Sequence, residues 1–293
     1  MRDVILWKTI KDPWTMLKTH GISKMEVRID PDMMLRFINT EAMSVASKED
    51  GQRVIDYLAE KRVRIEGILL LTKFDGQTDE NSWIKNCSAF ARQTGVKCIR
   101  IDHWKELPTT LKETEELLIS FEKRLENALK IADDYGINLA LENHGPLSNR
   151  PEIMTRLIER YSGKGFRICF DTGNFYVTGG LALDDVYKTA RLLAPYTASA
   201  HLKNASYPQA VRNDKRDIKK YPYGIHSTPV EYGDVNHATL FQIFREAGYK
   251  GCFFYEDEVL YHLDKTTSFQ NNGKSGSDIM PKTLEYLKKY LAV

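Results

Sequence analysis

Apolar runs that read as buried strands alternate with amphipathic helical patterns along nearly all of the 293 residues. Strand patterns fall at "VILW" (4–7), "MEVRI" (25–29), "VRIEGILLLT" (63–72), "VKCIRI" (96–101), "INLALE" (137–142), "FRICF" (166–170), "TASAHL" (197–202) and "GCFFYE" (251–256). Helical patterns lie between them near 12–21, 48–61, 79–94, 110–135, 151–161, 184–194 and 237–247, with a last one at about 277–291. The longest carries Leu117, Leu118, Phe121, Leu125, Ala128 and Ala132 at three- and four-residue steps, one face of an amphipathic helix. Strands that are apolar on both faces and joined through helices are the pattern of a parallel sheet covered by helices. Eight such units predict an α/β fold, a single (β/α)8 TIM barrel over residues 1–293. The Gly-containing turns do not match the G-x-G-x-x-G phosphate fingerprint, which argues against a doubly wound dinucleotide sheet.

The rhythm breaks once. Residues 203–235, after the seventh strand pattern, are polar, with scattered Pro, Gly, Tyr and basic residues and no clear period. A loop of that length inside a compact domain is usually functional or disordered. Its basic set, Arg212, Lys215, Arg216, Lys219 and Lys220, interleaves with Asp214 and Asp217 and reads as a solvated lid surface rather than a phosphate grip.

Charge and composition exclude several classes of partner. Forty-two Lys and Arg against 40 Asp and Glu leave a formal net charge of +2, which supplies no field for nucleic acid or an anionic membrane. No apolar stretch approaches the roughly 20 residues of a membrane span. Cys87, Cys98, Cys169 and Cys252 show no C-x-x-C spacing and read as buried free thiols, so the expected location is cytoplasmic.

In a barrel of this type the active site lies at the C-terminal ends of the strands. The last four strand patterns end on Glu142, Asp171, His201 and Glu256, each an ionisable residue closing an apolar run. Each has an ordinary alternative: a helix N-cap for Asp171, a nearby ion pair for Glu142, an exposed acidic loop for Glu256 beside Asp257 and Glu258, a core histidine for His201. Four such coincidences at one end of one barrel are less economical than one site. Three carboxylates brought together repel unless a cation neutralises them, and three oxygen donors with an imidazole suit one divalent ion: Mn²⁺, Mg²⁺, Co²⁺ or Zn²⁺.

The stretches "LENHG", "FDTGN", "AHLKN" and "GDVNHATLFQIFREAGYKGCFFYE" resemble the xylose isomerase-like TIM barrels, the sugar phosphate isomerase/epimerase group within the superfamily that includes AP endonuclease family 2. The resemblance is clear from about 110 to 260. It implies one divalent metal held by Glu142, Asp171, His201 and Glu256, and it implies Glu142 and Glu256 as the acid/base groups of an isomerase or epimerase. Such an enzyme abstracts an α-proton from a keto sugar or sugar phosphate and passes through a metal-stabilised enediolate. The alternative in the same site is a lyase, dehydratase or hydratase acting on an inosose or 3-oxo-glycoside, with His144 as acid for the leaving group. An endonuclease IV-like phosphodiesterase needs further histidines, and Asn174 stands where one is expected. A non-catalytic sugar-binding barrel would have no chemical need for the four metal-type residues. His144, Lys203, His103 and Trp104 are the expected substrate-binding residues, Trp104 as a stacking surface. Glu26 faces either inward or into an exterior ion pair, while His226 and His237 lie in or just after the long loop. The expected partner is a small-molecule carbohydrate, without nucleic acid or membrane, and family members are often homo-oligomers.

Overall fold

The computed structural model describes residues 1–103, 108, 110–261 and 275–291. Seven parallel strands form one nearly closed barrel sheet: β1 (Lys24–Arg28), β2 (Arg64–Leu69), β3 (Cys98–Ile101), β4 (Asn138–Glu142), β5 (Phe166–Asp171), β6 (Thr197–Leu202) and β7 (Cys252–Tyr255). Each strand pairs with the next in chain order, and the intervening helices cover the outside of the sheet, the architecture of a TIM barrel. Helices α1 (Asp3–Thr9) and α2 (Pro13–Thr19) precede β1. Then come α3 (Lys48–Glu60), α4 (Glu80–Thr94), α5 (Leu111–Asp133), α6 (Pro151–Tyr161), α7 (Leu183–Leu193), α8 (His237–Glu246) and α9 (Gly276–Lys288).

Local sequence accounts for most of these boundaries. Asp12, Ser47, Asp79, Thr110 and Asn236 each cap a helix by accepting a backbone amide of the first turn. Gly95 ends α4 at φ 83°, a left-handed conformation that glycine adopts without Cβ strain. The apolar stripe read on the fifth helix is buried at Leu118, Phe121, Leu125, Ala128 and Ala132, whereas Leu117 is half-buried.

The first expected strand is not one. "VILW" lies in α1, and the sheet's eighth place is held by only two residues. The Glu26 amide donates to the Met1 carbonyl at 2.9 Å, and the Arg2 amide donates to the Tyr255 carbonyl at 3.2 Å, bridging β1 to β7. Asp3 then turns the chain out of the sheet, its carboxylate accepting the Val4 amide at 2.6 Å and the Arg28 amide at 2.8 Å. Ile5 and Leu6 are buried from the following helix instead. A short apolar run suits a buried helix as well as a buried strand, and the fixed turn at Asp3 decides between them.

The aperiodic segment after β6 has more internal structure than its sequence suggests. Asn204–Ala205 pairs antiparallel with Ser227–Thr228. Asp234 ties the segment down by accepting the Tyr176 hydroxyl, the Ser206 hydroxyl and the Tyr207 amide at 2.7–3.1 Å. The solvated-lid reading fails at Arg216, which is buried. It donates to the carbonyls of Val211, Arg212, Tyr176 and Leu181 and stacks 3.9 Å from the centre of the Tyr176 ring. All four cysteines are free thiols, with Cys98 and Cys252 only partly buried. Among the described residues, no helix is long and apolar enough to cross a membrane.

Candidate metal centre

Strand alternation places side chains two apart on the same face, so β4, β5 and β6 deliver their last inward positions to one end of the barrel. Parallel register sets Glu142 beside Cys169 and Asp171 beside His201. On β7, Tyr255 pairs with Leu202, and the Glu256 amide donates to the Leu202 carbonyl at 3.1 Å. Glu142, Asp171, His201 and Glu256 consequently each offer a ligand atom within 4.8 Å of the others, and all four are buried. The sequence-predicted quartet is thus brought together.

The contacts around the quartet are nearly all charged. His201 Nδ1 lies 2.5 Å from Glu256 Oε2 and 3.4 Å from Glu142 Oε1, while its Nε2 faces Glu26 Oε2 at 2.8 Å. Glu26 therefore points inward, and the imidazole is held from behind by a carboxylate, the arrangement that orients metal-binding histidines. Burial alone would favour a neutral ring, yet neighbouring Cys169 and Glu26 push the His201 pKa up to about 9. Burial also raises Glu26, but His201, Arg2 and Arg100 outweigh it and hold the carboxyl below its usual range.

Asp171 is held twice. Its Oδ1 accepts the amides of Gly173 and Asn174 at 2.8 and 2.7 Å, and its backbone is clamped by the side chain of Asn143. Its Oδ2 lies 3.2 Å from Lys203 Nζ, which also reaches Glu258 Oε2 at 3.2 Å. Although burial works against the ammonium, these two carboxylates raise the Lys203 pKa. Asn174 donates to Glu142 Oε1 at 3.2 Å.

Two buried arginines, invisible as site residues in the sequence, complete the centre. Arg100 on β3 contacts Glu142 directly and Asp102 at 2.8 Å, and Arg2 contacts Glu256 directly and Glu26 at 3.5 Å. Asp102 in turn faces His144 Nδ1 at 3.1 Å. Burial would raise Asp102, but Arg100 and His144 bring it down to about 2. The one available clue was an arginine inside the otherwise apolar "CIRI" strand, two residues before Asp102 on the same face. His103 packs its ring 4.6 Å from that of Phe121, on α5. Trp104 lies outside the described residues. His226 stacks on Tyr207 at 4.6 Å, and buried His237 meets the Thr172 hydroxyl at 2.9 Å.

A divalent cation fits these residues. Glu142 Oε2, Asp171 Oδ2, His201 Nδ1 and Glu256 Oε2 are sealed from solvent and satisfy no hydrogen bond of sound geometry among the described residues. Buried polar atoms in that state call for a partner, and carboxylate oxygens with one imidazole nitrogen form a hard-to-borderline donor set.

The sequence profile of the family described as xylose isomerase-like TIM barrel matches residues 18–290. No curated protein matches the chain significantly in sequence. Solved structures share the fold at low identity. The IOLI protein, solved with a bound zinc atom, superposes with a TM-score of 0.66 at 13% identity, covering 99% of this chain and 97% of that one. A probable 3-DHS dehydratase from Bacillus anthracis gives 0.65 at 14%, covering 98% and 97%. D-allulose 3-epimerase from Methylomonas sp., in complex with D-allulose, gives 0.63 at 13%, covering 99% and 96%.

Proposed function

The chain belongs to the xylose isomerase-like TIM barrel family, and from that premise we propose that it is a divalent-metal-dependent isomerase or epimerase of a keto sugar or related polyol. The observation that carries the reading is the convergence of Glu142, Asp171, His201 and Glu256 within 4.8 Å at the catalytic end of the barrel. These four residues would hold the ion. When bound, it supplies Lewis-acid polarisation of a substrate carbonyl and its neighbouring hydroxyl, which acidifies the adjacent C–H.

The protein's own groups then divide the work. Glu142 and Glu256 enter from different strands and serve as acid and base, one taking the α-proton and the other returning a proton at a different position. Glu26 fixes the orientation of His201 through the 2.8 Å contact. Lys203, kept as an ammonium by Asp171 and Glu258, donates to a substrate oxygen and offsets negative charge as the proton leaves. Asn174 holds Glu142 in place by donating to its Oε1 at 3.2 Å.

One observation favours a second reading, a lyase in the same site. The imidazole of His144 is oriented by anionic Asp102 at 3.1 Å, the pairing of a positioned general acid with its carboxylate. Such an acid would protonate a departing β-hydroxyl or glycosidic oxygen after α-proton removal.

The test is metal analysis by mass spectrometry followed by incubation of the Mn²⁺-loaded protein with keto sugars and 3-oxo-glycosides in D₂O. One ion per chain and deuterium entering a carbon position of recovered substrate or its epimer is the expected result. Loss of water or an alcohol with His144→Ala selectively impaired would establish the lyase instead. A folded protein that binds no divalent ion would refute the metal-dependent reading.

A further inference from the structure

The centre already contains two fixed positive charges where a metal ion would be the third party. Arg2 and Arg100 are both buried, and each touches one of the two glutamates, Arg2 at Glu256 and Arg100 at Glu142. Arg2 closes a ring of contacts: Arg2 to Glu26 at 3.5 Å, Glu26 to His201 at 2.8 Å, His201 to Glu256 at 2.5 Å, and Glu256 back to Arg2. Arg100 bridges Glu142 and Asp102 on the opposite side. Lys203 covers Asp171.

Resting on the metal centre proposed above, we propose that Arg2 and Arg100 are built-in counter-ions that compete with the divalent ion for Glu256 and Glu142 and thereby set its affinity. Three carboxylates buried beside an imidazole stay ionised only if cations compensate them. In this chain the guanidiniums provide that compensation independently of any ion, so the fold does not wait on metal. The same charges would then oppose metal binding, because a divalent ion held by the four donors would meet both arginines and draw on the oxygens they hold. An arginine never gives up its proton in a protein, so this opposition cannot be relieved by titration.

Linkage fixes the sign of the consequence. Removing an arginine leaves a buried carboxylate uncompensated in the metal-free protein, whereas in the metal-bound protein the ion still compensates it. The metal-free state is therefore weakened more, and affinity for the ion must rise. A group that merely oriented a ligand would act in the opposite direction, since losing such support lowers metal affinity by about 10–100-fold.

The experiment measures Mn²⁺ and Zn²⁺ affinity by chelator competition in the wild type, Arg2→Met, Arg100→Met and Arg2→Lys, with thermal melts in metal and in EDTA. Both methionine variants are expected to bind at least about tenfold more tightly, as removal of a unit charge close to a divalent ion implies. Their melting temperatures should fall much further in EDTA than that of the wild type, while Arg2→Lys, which keeps the charge, should stay near the wild type in both. A methionine variant that folds only when Mn²⁺ is supplied gives the same answer. Unchanged or weaker binding in both methionine variants, or failure to refold even with the ion present, would overturn the proposal. No ion bound by any of the four proteins would instead remove the metal centre itself, an outcome distinct from equal binding by all.

Discussion

Asp171 divides its two oxygens between two tasks. Oδ1 accepts the amides of Gly173 and Asn174 in the turn that leads into the short helical segment Asn174–Val177, a cap-like role although Gly173 holds the N-cap position itself, while Oδ2 faces Lys203 and the buried donors. A cap and a ligand were alternatives in the sequence because either explains a carboxylate at a strand end, and the geometry has room for both. Asp171→Asn keeps an acceptor for the cap and removes the charge. It should bind divalent metal at least about 100-fold more weakly, while a denaturant midpoint reports a stability change within the ~1 kcal/mol typical of a cap. Retained metal at full stoichiometry would leave Asp171 as a cap only. Glu142, Asp171, His201 and Glu256, at or next to the ends of β4, β5, β6 and β7, were legible because alternation and barrel polarity together say where a strand's last inward side chain goes. Arg2 was not legible, since its place in the centre depends on which strands its backbone bridges.

At the scale of elements, α1 shows how one side chain redirects a segment. Asp3 is buried with both oxygens on backbone amides, and burial lifts its pKa from 3.8 to about 7 against the pull of Arg2 and the Arg28 and Val4 amides. A carboxyl whose folded pKa lies above its unfolded value binds protons more readily in the folded state. Its contribution to stability is therefore fully present below the unfolded pKa of 3.8 and is lost as pH rises towards about 7. Asp3→Asn should flatten that decline, read as the urea midpoint between pH 4 and 7 in each protein, and an unchanged slope would assign it to other groups. The helices were legible almost to the residue where caps are written locally, as at Ser47 and Thr110. They were least legible at residues 4–7, where an apolar run without a period reads as a strand and forms a helix.

For the whole molecule, the seam between β1 and β7 is the distinctive feature. The other neighbouring pairs in the sheet share two to five registered residue pairs, whereas here, among the described residues, Met1 and Arg2 carry the connection through a single bridge and two hydrogen bonds. Fewer shared hydrogen bonds mean a lower cost of local opening. Native-state hydrogen exchange should accordingly find the Glu26 amide, bonded to Met1, less protected than amides of the β4–β5 ladder. Equal protection would show the two-residue bridge to be as secure as a full strand. The helical cover, all seven strand-to-helix alternations that follow α1, and the four residues that converge were written in the sequence, because periodicity, caps and strand polarity are local properties. Only the tertiary structure decided that the eighth place in the sheet would be filled by two residues, that Glu26 would back His201, and that Arg2 and Arg100 would stand among the carboxylates. Those outcomes depend on which distant backbones lie side by side, and on the need to balance buried charge once they do.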